Sequence, residues 1–226
     1  MTAAAVLARL AALGDPARLP GMAGYGIATA HAYGVSVAEL RRLARELGRD
    51  HELAATLWGT GVHEARILAS LVDDPARVDE AQMERWAGAF DSWDLCDQTC
   101  ANLFRRTPLA WTKAAEWSER GDPLVKRAGF ALMAGLAVAD KRAADQCFAA
   151  FLPLIARGAD DDRPLVRKGA SWALRQIGKR NAGLNALAIE TALTLRNRDS
   201  RGARRVGADA LRELSSDRVQ NRLAAS

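Results

Sequence analysis

The sequence has few residues that could hold a metal ion or form disulfides. Its 226 residues include three cysteines, Cys96, Cys100 and Cys147, with no C-x-x-C pair, and three scattered histidines. An odd number of cysteines without paired spacing argues against a disulfide framework and against a zinc site. We therefore expect no metal and no cofactor, and we interpret the histidines as ordinary structural or surface residues.

Long apolar runs are also missing. No segment approaches the ~18 apolar residues that a membrane-spanning helix needs. The Ala-rich start is interrupted by Arg9, Asp15 and Arg18, so no secretory pattern develops. We expect a cytoplasmic bacterial protein, associated with the nucleoid, that makes no contact with a membrane.

The alternating apolar pattern of β-strands is the third absence. Apolar residues instead recur with a period near 3.6 almost throughout the chain. This period predicts an all-α protein, and the 49% hydrophobic and 26% charged content fits a globular one. Predicted helices include Ala17–His31, Trp93–Arg106 and Ala143–Arg157, with breaks at proline-containing turns.

Some of the predicted helices repeat one another. The segment DPLVKRAGF from Asp122 resembles DRPLVRKGA from Asp162, and a fainter copy, GARRVGADAL, begins at Gly202. Periods near 40 residues are typical of HEAT and armadillo solenoids. We predict a single domain over residues 1–226, folded as a right-handed superhelical solenoid of HEAT-like repeats. The second helix of each repeat would line a concave face.

Basic residues are concentrated toward the end of the chain. Residues 163–226 carry 14 Lys and Arg against 5 Asp and Glu, whereas residues 1–162 carry 18 against 22. A basic segment of this kind favours a polyanionic partner, and arginine suits phosphate; the alternative is a merely solvated basic surface. The predicted DNA-binding residues of the concave face are Arg167, Lys168, Arg175, Lys179, Arg180, Arg204 and Arg205.

One carboxylate stands out in the stretch DSWDLCDQTC, residues 91–100. Asp97 follows Trp93 by one helical turn, on the side that also carries Cys96 and Cys100. A carboxylate on an apolar face is costly unless it is paired. It could pair with an arginine of the next repeat, or it could stabilise developing positive charge together with the indole ring. No histidine or second carboxylate is identified at helical spacing to act as its partner.

A second tryptophan has the same relative place in a later repeat. Trp172 follows the basic start of its helix, and it would face Trp93 across the groove of a superhelix. Packing in the core is the alternative for both tryptophans. Arg127 could reach Asp97 or a phosphate.

Three segments, in this order, resemble the HEAT-like-repeat DNA alkylation repair glycosylases of the AlkD family: SWDLCDQ, LVKRAGF and LVRKGASWALRQIGK. The resemblance implies excision of cationic alkylpurines, such as 3-methyladenine and 7-methylguanine, from duplex DNA. It matches Asp97 to the catalytic carboxylate, and Trp93 and Trp172 to tryptophans that pack against the deoxyribose. It also matches Arg127 to an arginine near the DNA backbone and Tyr25 to an aromatic residue of the cleft.

Two other functions stay open at this stage. A related branch of the superfamily binds branched DNA without glycosylase activity, and such a binder would need the basic residues but not Asp97. A protein-scaffolding repeat array would need neither. We expect a monomer whose partner is duplex DNA that contains alkylated bases.

Overall fold

The computed structural model describes residues 1–225, and along them the backbone forms α-helices and two short 3₁₀ segments but no β-strand. The all-α prediction is confirmed. None of the helices in this range is long and apolar enough to cross a membrane. The helices gather into two compact units, one formed by residues 1–108 and the other from Leu109 onward. The single domain over residues 1–226 stays a prediction.

The first unit is built around its fifth helix, which packs against the third, fourth and seventh. Its core includes the fully buried Leu40, Leu57 and Leu68, and the rings of Trp58 and Trp86 stack at 3.9 Å between centroids. The helices of this unit are α1 (Ala3–Leu13), α2 (Leu19–Gly24), α3 (Val37–Leu47), α4 (His51–Gly59), α5 (His63–Val72), α6 (Glu80–Gly88) and α7 (Trp93–Asn102).

Side-chain caps fix where several of these helices begin. Ser36, Asp50 and Asp79 precede α3, α4 and α6, and each accepts a hydrogen bond from the backbone N–H three residues later. Such a bond satisfies one of the amide groups that a helix start leaves without a partner. The short polar residues between apolar runs therefore mark the helix starts.

The second unit contains the repeats that the sequence predicts. In it, the helix that begins at Pro164 packs against the helices that begin at Pro123 and Arg201. Each of these two also pairs with the helix that directly precedes it in the chain. Its helices are α8 (Ala110–Ser118), α9 (Pro123–Ala139), α10 (Asp145–Ala149), α11 (Leu152–Gly158), α12 (Pro164–Gly178), α13 (Ala182–Arg196), α14 (Arg201–Leu214) and α15 (Asp217–Ala224).

The repeated sequence segments begin corresponding helices. Pro123 is the first residue of α9 and Pro164 the first residue of α12. Proline is favoured there because its missing N–H would have no partner in the first turn and its φ angle already fits the helix. The segment GARRVGADAL lies in α14, so the three similar segments form the three helices that pack side by side.

Glycines allow the paired helices to approach closely. A Cβ atom on Gly129 of α9 would lie 2.4 Å from the backbone nitrogen of Ser118 in α8. A Cβ atom on Gly207 of α14 would lie 2.5 Å from the carbonyl oxygen of Ala192 in α13. Both distances are shorter than non-bonded atoms tolerate, so only glycine fits these two crossings without displacing a backbone.

Arginines connect each repeat to the one before it. Arg180 donates to the carbonyl of Ala137, 43 residues earlier, at 2.7 Å. Arg222 donates to the carbonyl of Lys179 over the same sequence separation and at the same distance. The acceptors lie in or just after the last turn of α9 and α12, where helix carbonyls lack intrahelical partners. Part of the basic charge therefore serves the packing of repeats.

Three of the predicted helices differ from the structure. The predicted Trp93–Arg106 helix is shorter, because α7 ends at Asn102 and a 3₁₀ turn at Phe104–Arg106 follows. Residues predicted as Ala17–His31 form a 3₁₀ turn at Pro16–Arg18, the short α2 and then irregular backbone. Positive φ angles at Gly26 and Gly34 accompany this irregular segment. The predicted Ala143–Arg157 helix is divided into α10 and α11, because Pro153 lacks the N–H that a continuous helix would require.

We expect Gly207→Ala to lower the free energy of unfolding by about 2 kcal/mol, because the added methyl group overpacks the α13–α14 crossing. Gly183→Ala is the matched control, since Gly183 is exposed in α13 and its new Cβ would meet only ordinary contacts. That control should be neutral or stabilising by up to about 1 kcal/mol. Urea unfolding of both variants measures the difference, and equal effects would contradict the close packing.

Candidate nucleic-acid interface

The candidate catalytic residues of the first unit lie on α7. Ser92 has extended backbone angles, and Trp93 is the first helical residue after it. The Trp93 side chain is half-buried, and its Nε1 donates a hydrogen bond to the carbonyl oxygen of Tyr25 at 2.9 Å. This bond ties the indole to the segment after α2. Tyr25 itself is 78% exposed.

Asp97 lies one turn after Trp93 and is also half-buried. Cys96 and Cys100, by contrast, are fully buried. The helix therefore turns its cysteines into the core, while the indole and the carboxylate stand at the edge of that core. Partial desolvation strengthens the electrostatic effect of a carboxylate on a nearby cation, because less water screens the charge.

A buried histidine supports the start of α7. His63, the first residue of α5, is 2% exposed, and its Nε2 lies 2.9 Å from Oδ2 of Asp94. Burial opposes ionisation of Asp94 and is the largest single effect, but hydrogen bonds from His63, Ser92 and the Leu95 amide, together with the electrostatic attraction of His63, outweigh it. The pKa of Asp94 therefore lies below its ordinary value. Because Asp94 precedes Asp97 by three residues, it stands at helical spacing from it. The carboxylate of Asp94 is bonded to His63, and the absence of a second carboxyl group that acts with Asp97 in hydrolysis stays a prediction.

The next residue of α5, Glu64, holds the segment between α2 and α3. Its buried carboxylate accepts backbone N–H groups from Tyr33, Gly34 and Val35 at 2.9, 2.7 and 3.2 Å. These hydrogen bonds satisfy backbone N–H groups that have no partner in a helix or a strand. The first turn of α5 thus fixes both α7 and the segment that carries Tyr25. This role leaves no local signal in the sequence, because the partners lie about 30 residues apart.

A basic pocket of about 430 Å³ lies between α12 and α14 in the second unit. Cationic side chains on two neighbouring helices that surround a small cavity suit a phosphate group, which accepts several charge-assisted hydrogen bonds. Four of the predicted DNA-binding residues are among its lining residues, which are Arg167, Lys168, Ser171, Arg175, Arg205, Val206 and Asp209.

Glu213 of α14 forms ion pairs with two of the predicted DNA-binding residues. Arg175 Nη1 and Lys179 Nζ each lie 2.6 Å from a different carboxylate oxygen of Glu213. Burial opposes ionisation of Glu213, but the hydrogen bonds and the positive charges of Lys179 and Arg175 together outweigh it, and the pKa of Glu213 lies below its ordinary value. The carboxylate is therefore ionised at neutral pH, and both basic groups already have an anionic partner.

Three further arginines of the predicted set contact backbone carbonyls. Arg127 is 7% exposed and donates to the carbonyl of Leu165 at 2.9 Å. Arg180 lies over the ring of Phe148, 3.9 Å from its centroid, in addition to its bond with α9. Arg204 is exposed and donates to carbonyls just before α14. Their DNA-binding role stays a prediction.

Trp172 lies on α12, next to Ser171 of the basic pocket, and is half-buried. Its partial exposure distinguishes it from Trp117, which is fully buried in the same unit. A half-exposed indole can pack against a sugar or a base without first leaving a hydrophobic core. The assignment of Trp172 to the site stays a prediction.

The fold defines a HEAT-like helical-repeat protein in which basic side chains line a pocket between neighbouring repeats. Residues 6–214 match the family described as DNA alkylation repair enzyme. The chain belongs to this family. The match extends over most of the sequence and includes both compact units.

Two individual similarities accompany the family match. The fold resembles a solved structure described as a new family of proteins related to the HEAT-like repeat DNA glycosylases with affinity for branched DNA structures. The TM-score is 0.78 and the sequence identity 20%, and the match covers 95% of this chain and 96% of that one. An uncharacterized protein of Listeria innocua is 28% identical over 101 residues, which are 43% of this chain and 45% of that protein. The matched region thus spans less than half of that relative.

We expect Asp94→Asn to lower the free energy of unfolding by about 2 kcal/mol at pH 7, because His63 loses a charged, partly buried partner. A carboxyl group whose pKa is lowered by folding stabilises the protein above its unfolded pKa, and this contribution is lost as the pH falls. The difference from the wild type should therefore shrink below about pH 4.

The matched control for this pair is Glu52→Gln. Glu52 and Arg77 form an ion pair 2.6 Å long on the surface of the same unit, with side chains 76% and 54% exposed. Surface pairs of this kind contribute about 0–1 kcal/mol. Denaturant unfolding at several pH values compares the two variants, and equal losses would contradict a supporting role of the His63–Asp94 contact.

Proposed function

We propose that the protein is a DNA glycosylase that hydrolyses the N-glycosidic bond of cationic alkylpurines, such as 3-methyladenine and 7-methylguanine, in duplex DNA. The observation that carries the proposal is the pair of half-buried residues on α7, Trp93 and Asp97, in a chain of the DNA alkylation repair enzyme family. The proposed catalytic residues are Asp97, Trp93 and Trp172, and the reaction needs no cofactor.

A single carboxylate suffices for this chemistry. Glycoside hydrolysis generally uses two carboxyl groups, one of which protonates the leaving group. An alkylated purine already carries a positive charge, so it takes the electrons of the C1′–N bond and leaves as a neutral base. The positive charge then resides on the sugar, where Asp97 stabilises it. A water molecule adds to C1′ and gives up one proton, which the Asp97 carboxylate accepts and then releases to solvent. Only interactions that strengthen along this path accelerate it.

The proposed DNA contacts centre on the pocket between α12 and α14. Lys168 and Arg205 are exposed and take part in no ion pair among residues 1–225, and Arg167 donates only to a backbone carbonyl at 3.3 Å. These three groups can therefore exchange water for phosphate at low cost. Arg127 and Tyr25 complete the proposed set of DNA-binding residues.

A second candidate function is binding of branched or damaged DNA without catalysis. The described affinity of the structurally similar protein for branched DNA favours it. This function would use the basic pocket of the second unit but would not depend on Asp97. A test of base release therefore separates the two candidates.

We expect the combined substitution Lys168→Gln and Arg205→Gln to weaken binding of undamaged and alkylated duplex alike. Each lost phosphate contact should reduce the slope of log affinity against log salt by about 0.9. Fluorescence anisotropy at several salt concentrations measures the slope. Arg41→Gln with Arg45→Gln removes the same charge from the exposed face of α3 in the first unit, and this control should leave the slope unchanged. A salt-independent affinity of the wild type would contradict the proposed interface.

We expect Asp97→Asn to reduce the rate of 7-methylguanine release by a factor of about 10² to 10³, because the lost charge acts mainly in the transition state. Affinity for alkylated DNA should persist. Single-turnover base release and thermal melting on one preparation test this, since a purely structural Asp97 would instead lower the melting temperature. A variant that releases base at the wild-type rate would end the assignment of Asp97 as a catalytic residue. A wild type that binds DNA but releases no base would favour the second candidate function, binding without catalysis.

A further inference from the structure

Glu213 joins two cations at the C-terminal end of α12 that the sequence assigns to DNA. Arg175 lies in the last turn of the helix, and Lys179, four residues later, directly follows its end. Glu213 meets both from α14, with separations of 2.6 Å, and its side chain is 19% exposed. The carboxylate thus occupies the position at which an anionic ligand of these two groups would bind.

This arrangement is more stable than an ordinary surface ion pair. Charge-assisted hydrogen bonds are roughly twice as strong as neutral ones. Glu213 receives one from each cation, and all three side chains are partly shielded from water. Asp209, one turn earlier on α14, lines the same pocket and accepts a hydrogen bond from Arg212. The face of α14 toward α12 is therefore acidic at both positions.

We propose that Glu213 is an internal competitor of the DNA backbone, which keeps Arg175 and Lys179 from contacting phosphate. The inference rests on the proposed DNA binding and determines which cations take part in it. Phosphate contact on this face falls to Arg167, Lys168 and Arg205. The competitor lowers affinity for undamaged duplex, because two possible phosphate contacts are satisfied within the protein. Selectivity then depends more on the residues that recognise the lesion.

The test is Glu213→Gln, which keeps the shape of the side chain and removes its charge. Two additional phosphate contacts should steepen the slope of log affinity against log salt by about 1.8. Binding of undamaged duplex at 0.1 M salt should tighten by about tenfold or more. Fluorescence anisotropy with an undamaged duplex measures both quantities, and thermal melting verifies that the variant is folded.

Glu190→Gln is the matched control for net charge. Glu190 is exposed on α13 and lines apolar grooves, so its replacement should leave the slope unchanged. Adding Arg175→Gln and Lys179→Gln to Glu213→Gln should return the slope to its wild-type value. A folded Glu213→Gln protein that binds no more tightly than Glu190→Gln would overturn the proposal.

A second measurement does not depend on the folding of Glu213→Gln. Replacing Arg175 and Lys179 together by glutamine, with Glu213 intact, should change wild-type affinity by less than about threefold. A loss of tenfold or more would show that both cations already contact DNA, and it would overturn the competitor role alone. A wild type without salt-dependent DNA affinity would overturn the proposed function and this inference with it.

Discussion

The ends of helices leave carbonyl groups without backbone partners, and the second unit satisfies several of them with arginines from one repeat later. Arg180 and Arg222 illustrate the arrangement, since each reaches back 43 residues to the end of a helix in the preceding repeat. Arg198 makes a similar contact with α11 over 42 residues. These bonds determine how consecutive hairpins stack, and the pocket between α12 and α14 depends on that stacking.

The same residue type therefore has two uses in this protein. Arginine at the end of α12 binds carbonyls and an aromatic ring, whereas Lys168 and Arg205 extend into the pocket. A count of basic residues overestimates the number of phosphate contacts, because it does not distinguish cations used for packing from cations open to a ligand. Glu213 further reduces the number of cations available to phosphate, because it forms ion pairs with Arg175 and Lys179.

The candidate chemistry of the first unit depends on support from a distant part of the chain. Trp93 and Asp97 lie on α7, but the position of that helix is fixed by His63 on α5 and by the carbonyl of Tyr25. Neighbouring Glu64 holds the irregular segment after α2 with three hydrogen bonds. A half-buried carboxylate can act on a cation only if its helix stays in place, so these buried polar contacts belong to the site as much as α7 does.

The sequence by itself determined the helical class and the main repeats. The 3.6-residue period and the similar segments at Pro123 and Pro164 depend only on local order along the chain, so they predict α9 and α12 closely. It also placed Trp93 and Asp97 on one helix, since residues four apart share a face. The same local signals failed for Ala17–His31, and Glu64 of another helix binds the irregular backbone just beyond it, at Tyr33–Val35. The partners of His63 and Glu213 were decided only by the tertiary structure, because long-range contacts between charged groups depend on which helices pack together and leave no periodic trace in the sequence.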